Sequence, residues 1–454
     1  MGIILRRTKI IATLGPAVAS VETMMALLEA GADVFRLNLS HGQREDHDRF
    51  LERAREAQAR TGSNMAILVD LQGPRLRVGT IKGGQMELRT GSTATLTSRD
   101  VVGEGSVVPV TYERLEEDLS EGVTILIDDA RIELKVTEVT PEGVLVDVVR
   151  GGVLGDRKGI NMPGFRISSP SITKKDLEDI GWAAEREVDF VAVSFIRDAK
   201  AVHTVAEELE RHGSQVPVVA KIELSDAVDN IKEIVAAADA VMVARGDLGI
   251  EMPLHRIPLI QKEIVAECSR HAKISIIATQ MLESMTDNPR PTRAEVSDVA
   301  NAILDGTDAI MLSGETAVGK HAVEAVATMA RIAEHVETSG KIEVPPLEGF
   351  EDGLPIPVAV SQSAVELAAR LDARVIITFT TSGFTARHHS ASRPRTPILA
   401  VSPLDAVVRR MALYWGIRAV KITQVEGTEA MIAQAKQAAV DQGLAQLGDI
   451  VVIA

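Results

Sequence analysis

Eight short apolar runs constrain this chain more than any other feature. Each ends in polar or charged residues and each is followed by a stretch with helical spacing. They occupy residues 8–14, 34–39, 65–69, 190–193, 216–222, 240–244, 274–278 and 309–312. Runs that are apolar throughout fit strands covered on both faces, and strands that alternate with helices lie parallel. Eight of them predict an α/β fold built on a closed (β/α)8 TIM barrel, whose C-terminal strand ends form one rim carrying the active site. On this reading Asn38, Ser40, Asp70, Ser194, Lys221, Glu223, Arg245, Asp247, Thr279, Ser313 and Glu315 come to that rim. The β/α alternation is the only internal repeat read from the sequence.

The pattern is interrupted once. Between the third and fourth runs, helical spacing gives way to alternating segments at 85–89, 93–97, 124–127, 132–139 and 144–149, separated by Gly83, Gly84, Gly91, Gly103, Gly105, Pro141 and Gly143. This predicts an inserted all-β domain over 74–166, a small β-barrel. Sitting in a β→α loop, it covers the rim as a lid able to exclude water. The catalytic barrel then takes residues 1–73 and 167–339. A Pro-, Glu- and Gly-rich stretch at 340–357 opens a C-terminal α/β domain over 340–454, with helices at 358–371 and 404–415 and strands at 374–378 and 397–401. Ser20 and Ser225 read as helix N-caps, and Gly31, Gly62 and Gly213 as helix ends.

A chain of 454 residues has room for three such domains. Its net charge of −15 excludes general nucleic-acid binding, which needs a basic face. No apolar run approaches the ~18 residues that a membrane span requires, and no leader pattern opens the chain. The single cysteine, Cys268, has no partner for an internal disulfide and reads as a small buried hydrophobe. A cytoplasmic protein is expected.

The chemistry starts at Ala220-Lys221-Ile222-Glu223. Alternation puts Lys221 and Glu223 on one strand face, the barrel interior. A purely structural ion pair there gains little, because desolvation offsets pairing, so the functional reading is preferred. Asp247, in Arg245-Gly246-Asp247 one strand later, can join Glu223 in holding a divalent cation; magnesium takes one or two carboxylates and leaves its other positions to water and substrate. Gly246 lets backbone approach a ligand closely. Arg36, Asn38 and Ser40 share a face, and the Arg36 fork can grip phosphate or carboxylate. His41, in the loop beyond, is either a ligand contact or a bystander. Thr279 and Ser313 offer hydroxyls to the rim. The set suits magnesium-assisted chemistry on an anionic, phosphorylated substrate. Composition and spacing go no further.

The same residues resemble the pyruvate kinase family. The resemblance is carried by Arg36-Leu37-Asn38-Leu39-Ser40-His41-Gly42, Asp70-Leu71-Gln72-Gly73-Pro74, Lys221-Ile222-Glu223, Met242-Val243-Ala244-Arg245-Gly246-Asp247-Leu248-Gly249, Ala278-Thr279-Gln280-Met281 and Met311-Leu312-Ser313-Gly314-Glu315-Thr316, in that order. It implies transfer of the phosphoryl group of phosphoenolpyruvate to ADP, giving pyruvate and ATP in glycolysis. It also implies roles: Arg36 on the phosphoryl group; Lys221 on charge at the phosphoryl and enolate; Thr279 at the methylene carbon to be protonated; Gly246 and Asp247 at the substrate; and Glu223 and Asp247 on Mg2+. Nucleotide contacts would come from Asn38, His41, Arg77 and Lys158. Relatives that need potassium hold it with the counterparts of Asn38, Ser40, Asp70 and the Leu71 carbonyl, and carry glutamate where this chain has Arg75. A tethered guanidinium there supplies the missing positive charge, so activity without K+ is expected. Gln72 stands where many relatives have lysine.

In the last domain Thr380, Thr381, Ser382, Gly383 and Thr385 read either as a capped helix start or as a phosphate cradle. The resemblance implies the latter, for a phosphorylated allosteric effector, and implies a homotetramer. Two other readings compete with this one. A magnesium-dependent aldolase or lyase on a similar barrel needs neither nucleotide site nor lid. A catalytically dead binding protein would not keep Lys221, Glu223 and Asp247.

Overall fold

The computed structural model describes residues 6–165, 168, 170–342 and 355–454. The expected boundary at Arg166, and most of the one at 340–357, lie outside the described residues. Eight strands close into a parallel barrel: β1 (Lys9–Thr13), β2 (Val34–Asn38), β3 (Ala66–Asp70), β4 (Phe190–Val193), β5 (Val218–Ile222), β6 (Ala240–Ala244), β7 (Ile274–Ala278) and β8 (Ala309–Leu312). Burial on both faces explains their unbroken apolar character: every strand but β2 is buried at every position, and β2 departs only at Asn38. The helix Val21–Ala30 starts at Ser20, whose side chain accepts from the Thr23 amide, and ends at Gly31, with φ +115°. Ser225 does not cap; it lies inside the short helix Ser225–Asp229, with Leu224 at the cap position.

The N-terminal end of the barrel carries a repeat that the sequence reading did not find. An aspartate stands immediately before every second strand: Asp33 before β2, Asp189 before β4, Asp239 before β6 and Asp308 before β8. Each gives its backbone N–H to a carbonyl on or beside the preceding strand, at Ile10 (2.9 Å), Ile67 (2.9 Å), Val218 (3.0 Å) and Ser275 (3.1 Å). Each carboxylate then accepts the N–H of that same residue, at 2.8, 2.8, 3.0 and 2.9 Å. Four reciprocal clasps therefore join the strands in pairs where the sheet runs out of ladder partners.

The C-terminal domain is seated on this end. Its parallel sheet runs in the order Ile417–Lys421, Ile398–Ser402, Val375–Phe379, Val451–Ile453. One core cluster joins barrel-interior side chains such as Phe190, Met242 and Met311 to Val407, Met411 and Tyr414 of that domain. Two of its guanidiniums reach the clasps: Arg409 meets Asp189 at 2.7 Å and Arg393 meets Asp308 at 2.7 Å. The helix expected over 404–415 is shorter, Asp405–Arg410 followed by a single 3-10 turn, Met411–Leu413. Extended backbone at Tyr414 and the left-handed Gly416, whose N–H bonds to the Arg7 carbonyl, turn the chain into the strand Ile417–Lys421 instead.

Between β3 and β4 the inserted strands form a seven-stranded sheet and a two-stranded ribbon, Gln85–Leu88 with Gly152–Gly155, around one apolar core. Strands at Leu76–Arg77, Val107–Pro109, Gly152–Gly155 and Gly159–Asn161 were not anticipated; each is two to four residues long, too short for alternation to register.

The clasps differ in what they carry. Asp189 is fully buried and also pairs with Arg55 (3.0 Å) and Arg409. Asp189→Ala should cost about 3–5 kcal/mol, because it strands two cations and an amide. Asp239→Ala should cost about 1–3 kcal/mol, mainly the unpaired Val218 N–H. Urea unfolding of the two variants checks the order; equal losses would contradict it.

Candidate active site

The rim gathers its charges because three strands, β2, β3 and β5, carry charged residues near their C-terminal ends that alternation turns inward. Lys221 lies on β5 and is buried to 5 % exposure. Its ammonium sits 2.8 Å from Glu223 Oε1 and 3.2 Å from Asp70 Oδ1, and donates to Ser194 Oγ at 2.7 Å. Asp70, at the end of β3, is in turn held by Arg36: Nε and Nη2 both lie 2.7 Å from Oδ2. Arg36 Nη1 donates to Thr13 Oγ1 at 3.0 Å. The result is a continuous row, Arg36–Asp70–Lys221–Glu223, across the barrel mouth.

Burial sets the electrostatics. It pushes the Asp70 carboxyl up, but the Lys221 ammonium and then the Arg36 guanidinium outweigh it and hold Asp70 below the usual carboxylate range. Burial also lowers Lys221, yet Asp70 and Glu223 outweigh it and leave the ammonium above its ordinary value. Glu223 is raised, by burial first; Lys221 opposes this and the nearby negative charge of Asp247 adds to it. Lys221 is thus a fixed cation, while Glu223 and Asp247 repel each other with one ammonium between them.

That repulsion is what a dication would relieve. Glu223 Oε2 accepts the Phe195 N–H at 2.6 Å, while Oε1 lies 2.8 Å from the Lys221 ammonium and has no further partner among the described residues. Asp247 lies in the first turn of the helix Arg245–Glu251 and lines the cleft. Among the described residues no group of three or more His, Cys, Asp or Glu gathers as a metal site. A two-carboxylate site fits magnesium, which leaves most positions to water and ligand oxygens.

Arg245 braces this corner: it pairs with Asp298 (2.7 Å) and donates to the Thr279 carbonyl (2.8 Å). Thr279 has φ +69° and Gln280 φ +54°. A β-branched residue in the left-handed region is strained, and such strain collects at functional sites. Thr279 Oγ1 accepts the Gly246 N–H at 2.8 Å, so a ligand using that amide competes with the threonine. Glu315 is structural: it is fully buried and accepts the backbone N–H groups of Leu282 (3.0 Å) and Ser313 (2.7 Å), tying together the loops after β7 and β8.

The groups expected to hold a monovalent cation have protein partners. Asp70 is paired as described, the Leu71 carbonyl accepts Ser194 Oγ at 2.8 Å, and Asn38 Oδ1 accepts the Ser40 N–H at 3.1 Å. Arg75 lies over the Phe195 ring at 5.6 Å, with its Nε buried and without a hydrogen-bond partner among the described residues. His41 is held below its ordinary value by burial and then by the positive charges of Arg75, Arg77 and Arg36. Arg77 on the lid donates to the Arg157 carbonyl at 3.0 Å, and Lys158 pairs with Asp128 at 2.8 Å. A cleft of about 960 Å³, open to solvent, separates lid from rim; Arg75, Asp129, Asn161, Phe195 and Asp247 line it.

The loop Thr380–Thr385 is elsewhere, in the C-terminal domain. Two of its amides are already used: Gly383 N–H donates to Thr380 Oγ1 (2.8 Å) and Phe384 N–H to Ser382 Oγ (3.3 Å). Sequence reasoning placed Ser194 at the rim without its role as a Lys221 partner, and missed Asp70 as the bridge between Arg36 and Lys221. The signal available was the alternation that turns Arg36 and Asp70 inward on paired strands.

A family profile described as "Pyruvate kinase, barrel domain" matches residues 5–326, and one described as "Pyruvate kinase, alpha/beta domain" matches residues 358–454. A pyruvate kinase of Geobacillus stearothermophilus is 45% identical over 452 residues, covering 99% of this chain and 77% of its own length. One of Mycobacterium tuberculosis is 42% identical over 451 residues, covering 99% and 94%. A crystal structure of a pyruvate kinase from Cryptosporidium parvum superposes with a TM-score of 0.92 at 34% identity, covering 99% of this chain and 94% of that one. Among the described residues no helix is long and apolar enough to cross a membrane.

The bracing role of Glu315 is testable. Glu315→Gln turns one acceptor into a donor facing a buried N–H, and should destabilise the protein by about 1–3 kcal/mol in urea unfolding. An unchanged midpoint would contradict the two bonds.

Proposed function

The chain belongs to the pyruvate kinase family and is a phosphotransferase, and on that premise we propose that it transfers the phosphoryl group of phosphoenolpyruvate to ADP, yielding pyruvate and ATP with uptake of one proton. The single observation that carries this reading is the row of fixed charges, Arg36–Asp70–Lys221–Glu223, at the mouth of the barrel. Phosphoryl transfer needs positioned charge more than covalent help.

Arg36, already oriented by Asp70 and Thr13, presents its guanidinium to the phosphoryl group. Lys221 supplies a cation that stays charged at any working pH, for the phosphoryl in transit and for the enolate oxygen left behind. Thr279, at the strained corner, borders the enolate carbon that takes up the proton. Glu223 and Asp247 would hold magnesium, which draws charge from phosphoryl and enolate oxygens. Asn38, His41, Arg77 and Lys158 serve the nucleotide, and Lys158 must leave Asp128 to reach a phosphate.

Arg75 replaces potassium in this proposal. Its support is the Arg75 guanidinium, which lies over Phe195 and whose charge is felt at His41, together with the protein partners already held by Asn38, Asp70 and Leu71. The hydroxyl-rich turn at Thr380, Thr381, Ser382, Gly383 and Thr385 remains the proposed effector site; Thr381 and Ser382 are exposed there, and a phosphate would displace two internal bonds. A homotetramer working in the cytoplasm completes the reading.

A coupled assay of pyruvate formation tests it. The wild-type chain should turn over phosphoenolpyruvate and ADP with magnesium, changing less than about threefold between potassium-free buffer and 0.1 M KCl, a shift below 1 kcal/mol. Arg75→Glu should lose most activity without potassium and recover it with potassium. Absence of turnover sinks the function; loss of wild-type activity without potassium sinks only the role of Arg75.

A further inference from the structure

The chain enters the lid through Gly73-Pro74-Arg75 and returns to the barrel at Thr173, the N-cap of the helix Lys174–Glu185. Both passages meet at one side chain. Asp176, 1 % exposed, accepts the Gly73 N–H through Oδ1 at 3.0 Å. Its Oδ2 accepts the Thr173 N–H at 2.9 Å and the Thr173 hydroxyl at 2.6 Å. The second oxygen thus does what any capping-box carboxylate does, with the Thr-x-x-Asp spacing that marks one in sequence. The first does not: it leaves the helix and holds the other passage.

Gly73 is where that bond matters. Its φ is +68°, and a Cβ there would lie 2.9 Å from Phe195 and 3.1 Å from Ser194, the residues that stack on Arg75 and accept from Lys221. Its carbonyl accepts the Arg75 N–H at 2.9 Å in a tight turn. Fixing the Gly73 amide therefore fixes both the point where the lid leaves the barrel and the backbone of Arg75. A hinge turns on a few residues that absorb the dihedral change, and one buried carboxylate holding both strands of a two-strand hinge sets their separation.

We propose that Asp176 is the pin of the lid hinge, a positioning residue that ties the outgoing segment at Gly73 to the returning segment at Thr173 and so sets where the lid carries Arg77 and Lys158 over the nucleotide. The kinetic part rests on the phosphotransfer reading above. Loosening the pin leaves the barrel charges in place and misplaces the lid, so the nucleotide suffers more than phosphoenolpyruvate.

Two variants separate the two oxygens' jobs. Thr173→Ala removes the hydroxyl that caps the helix but leaves Asp176 bonded to the N–H groups of both Gly73 and Thr173, so the two passages stay joined and the melting temperature should fall by about 1–2 °C without a change in either KM. Asp176→Asn should lower the melting temperature comparably, raise the KM for ADP at least about tenfold, and change the KM for phosphoenolpyruvate less than about threefold. Equal kinetics in the two variants would overturn the proposal. Hydrogen exchange on the unmodified chain is independent of folding of the variant and of substrate. The Gly73 amide should be protected to the same degree as the amide of Asp176 in the first turn of the helix; rapid exchange at Gly73 would also overturn the pin. Absence of turnover in the wild type would sink the phosphotransfer reading while leaving the exchange result to judge the hinge.

Discussion

The ammonium of Lys221 is the contact on which the site depends. It is buried, it stays charged, and it is shared by Asp70, Glu223 and Ser194 from three different strands or strand ends. A cation so placed would be costly alone; its carboxylate partners offset the desolvation and fix its position. They also hold each other in register: Asp70 aligns Arg36, and Glu223 meets the Phe195 amide. The order of charges across the mouth, plus–minus–plus–minus, follows from which strands pair with which. Closure of the barrel is therefore a precondition of the chemistry.

The opposite end of the barrel makes that closure dependable. Four aspartates clasp the strands in pairs, β1 with β2, β3 with β4, β5 with β6 and β7 with β8, and two of them receive arginines of the C-terminal domain. The domain seals the interior with Val407, Met411 and Tyr414 and is held by the same carboxylates that hold the strands. At the far rim Arg245 and Glu315 do comparable work with backbone groups, keeping Thr279 in its left-handed conformation and the last two loops together. Bracing contacts are thus built around the charges at both ends of the barrel.

Much of this was legible in the chain. The eight strands were readable because burial on both faces makes them apolar without interruption, and four of them have the expected bounds: β4, β6, β7 and β8. Lys221 and Glu223 were readable because two charges two residues apart in such a strand need a reason. What was not legible has physical causes. The clasp aspartates lie in ordinary turns, where Asp is common, and only the closed sheet shows that each meets the strand before it. The bridging role of Asp70 depends on which strands are neighbours. The shortened helix before Trp415 answers to tertiary contact at Gly416 and Arg7, which local periodicity does not carry. Asp176 carried a readable capping signal for one of its oxygens; the partner of the other is more than a hundred residues away.

In the proposed function, Arg75 and the two carboxylates at Glu223 and Asp247 would divide the cations of the site between them, one tethered and one to be taken from solution. The account stands on the second. Titration of the wild-type chain with Mn2+, followed by electron paramagnetic resonance, measures it without relying on turnover. One site per chain should be found, and both Glu223→Gln and Asp247→Asn should weaken it at least about tenfold, a loss of 1.4 kcal/mol or more. Manganese binding that is unchanged in either variant would contradict the paired-carboxylate site and the charge arrangement built around it.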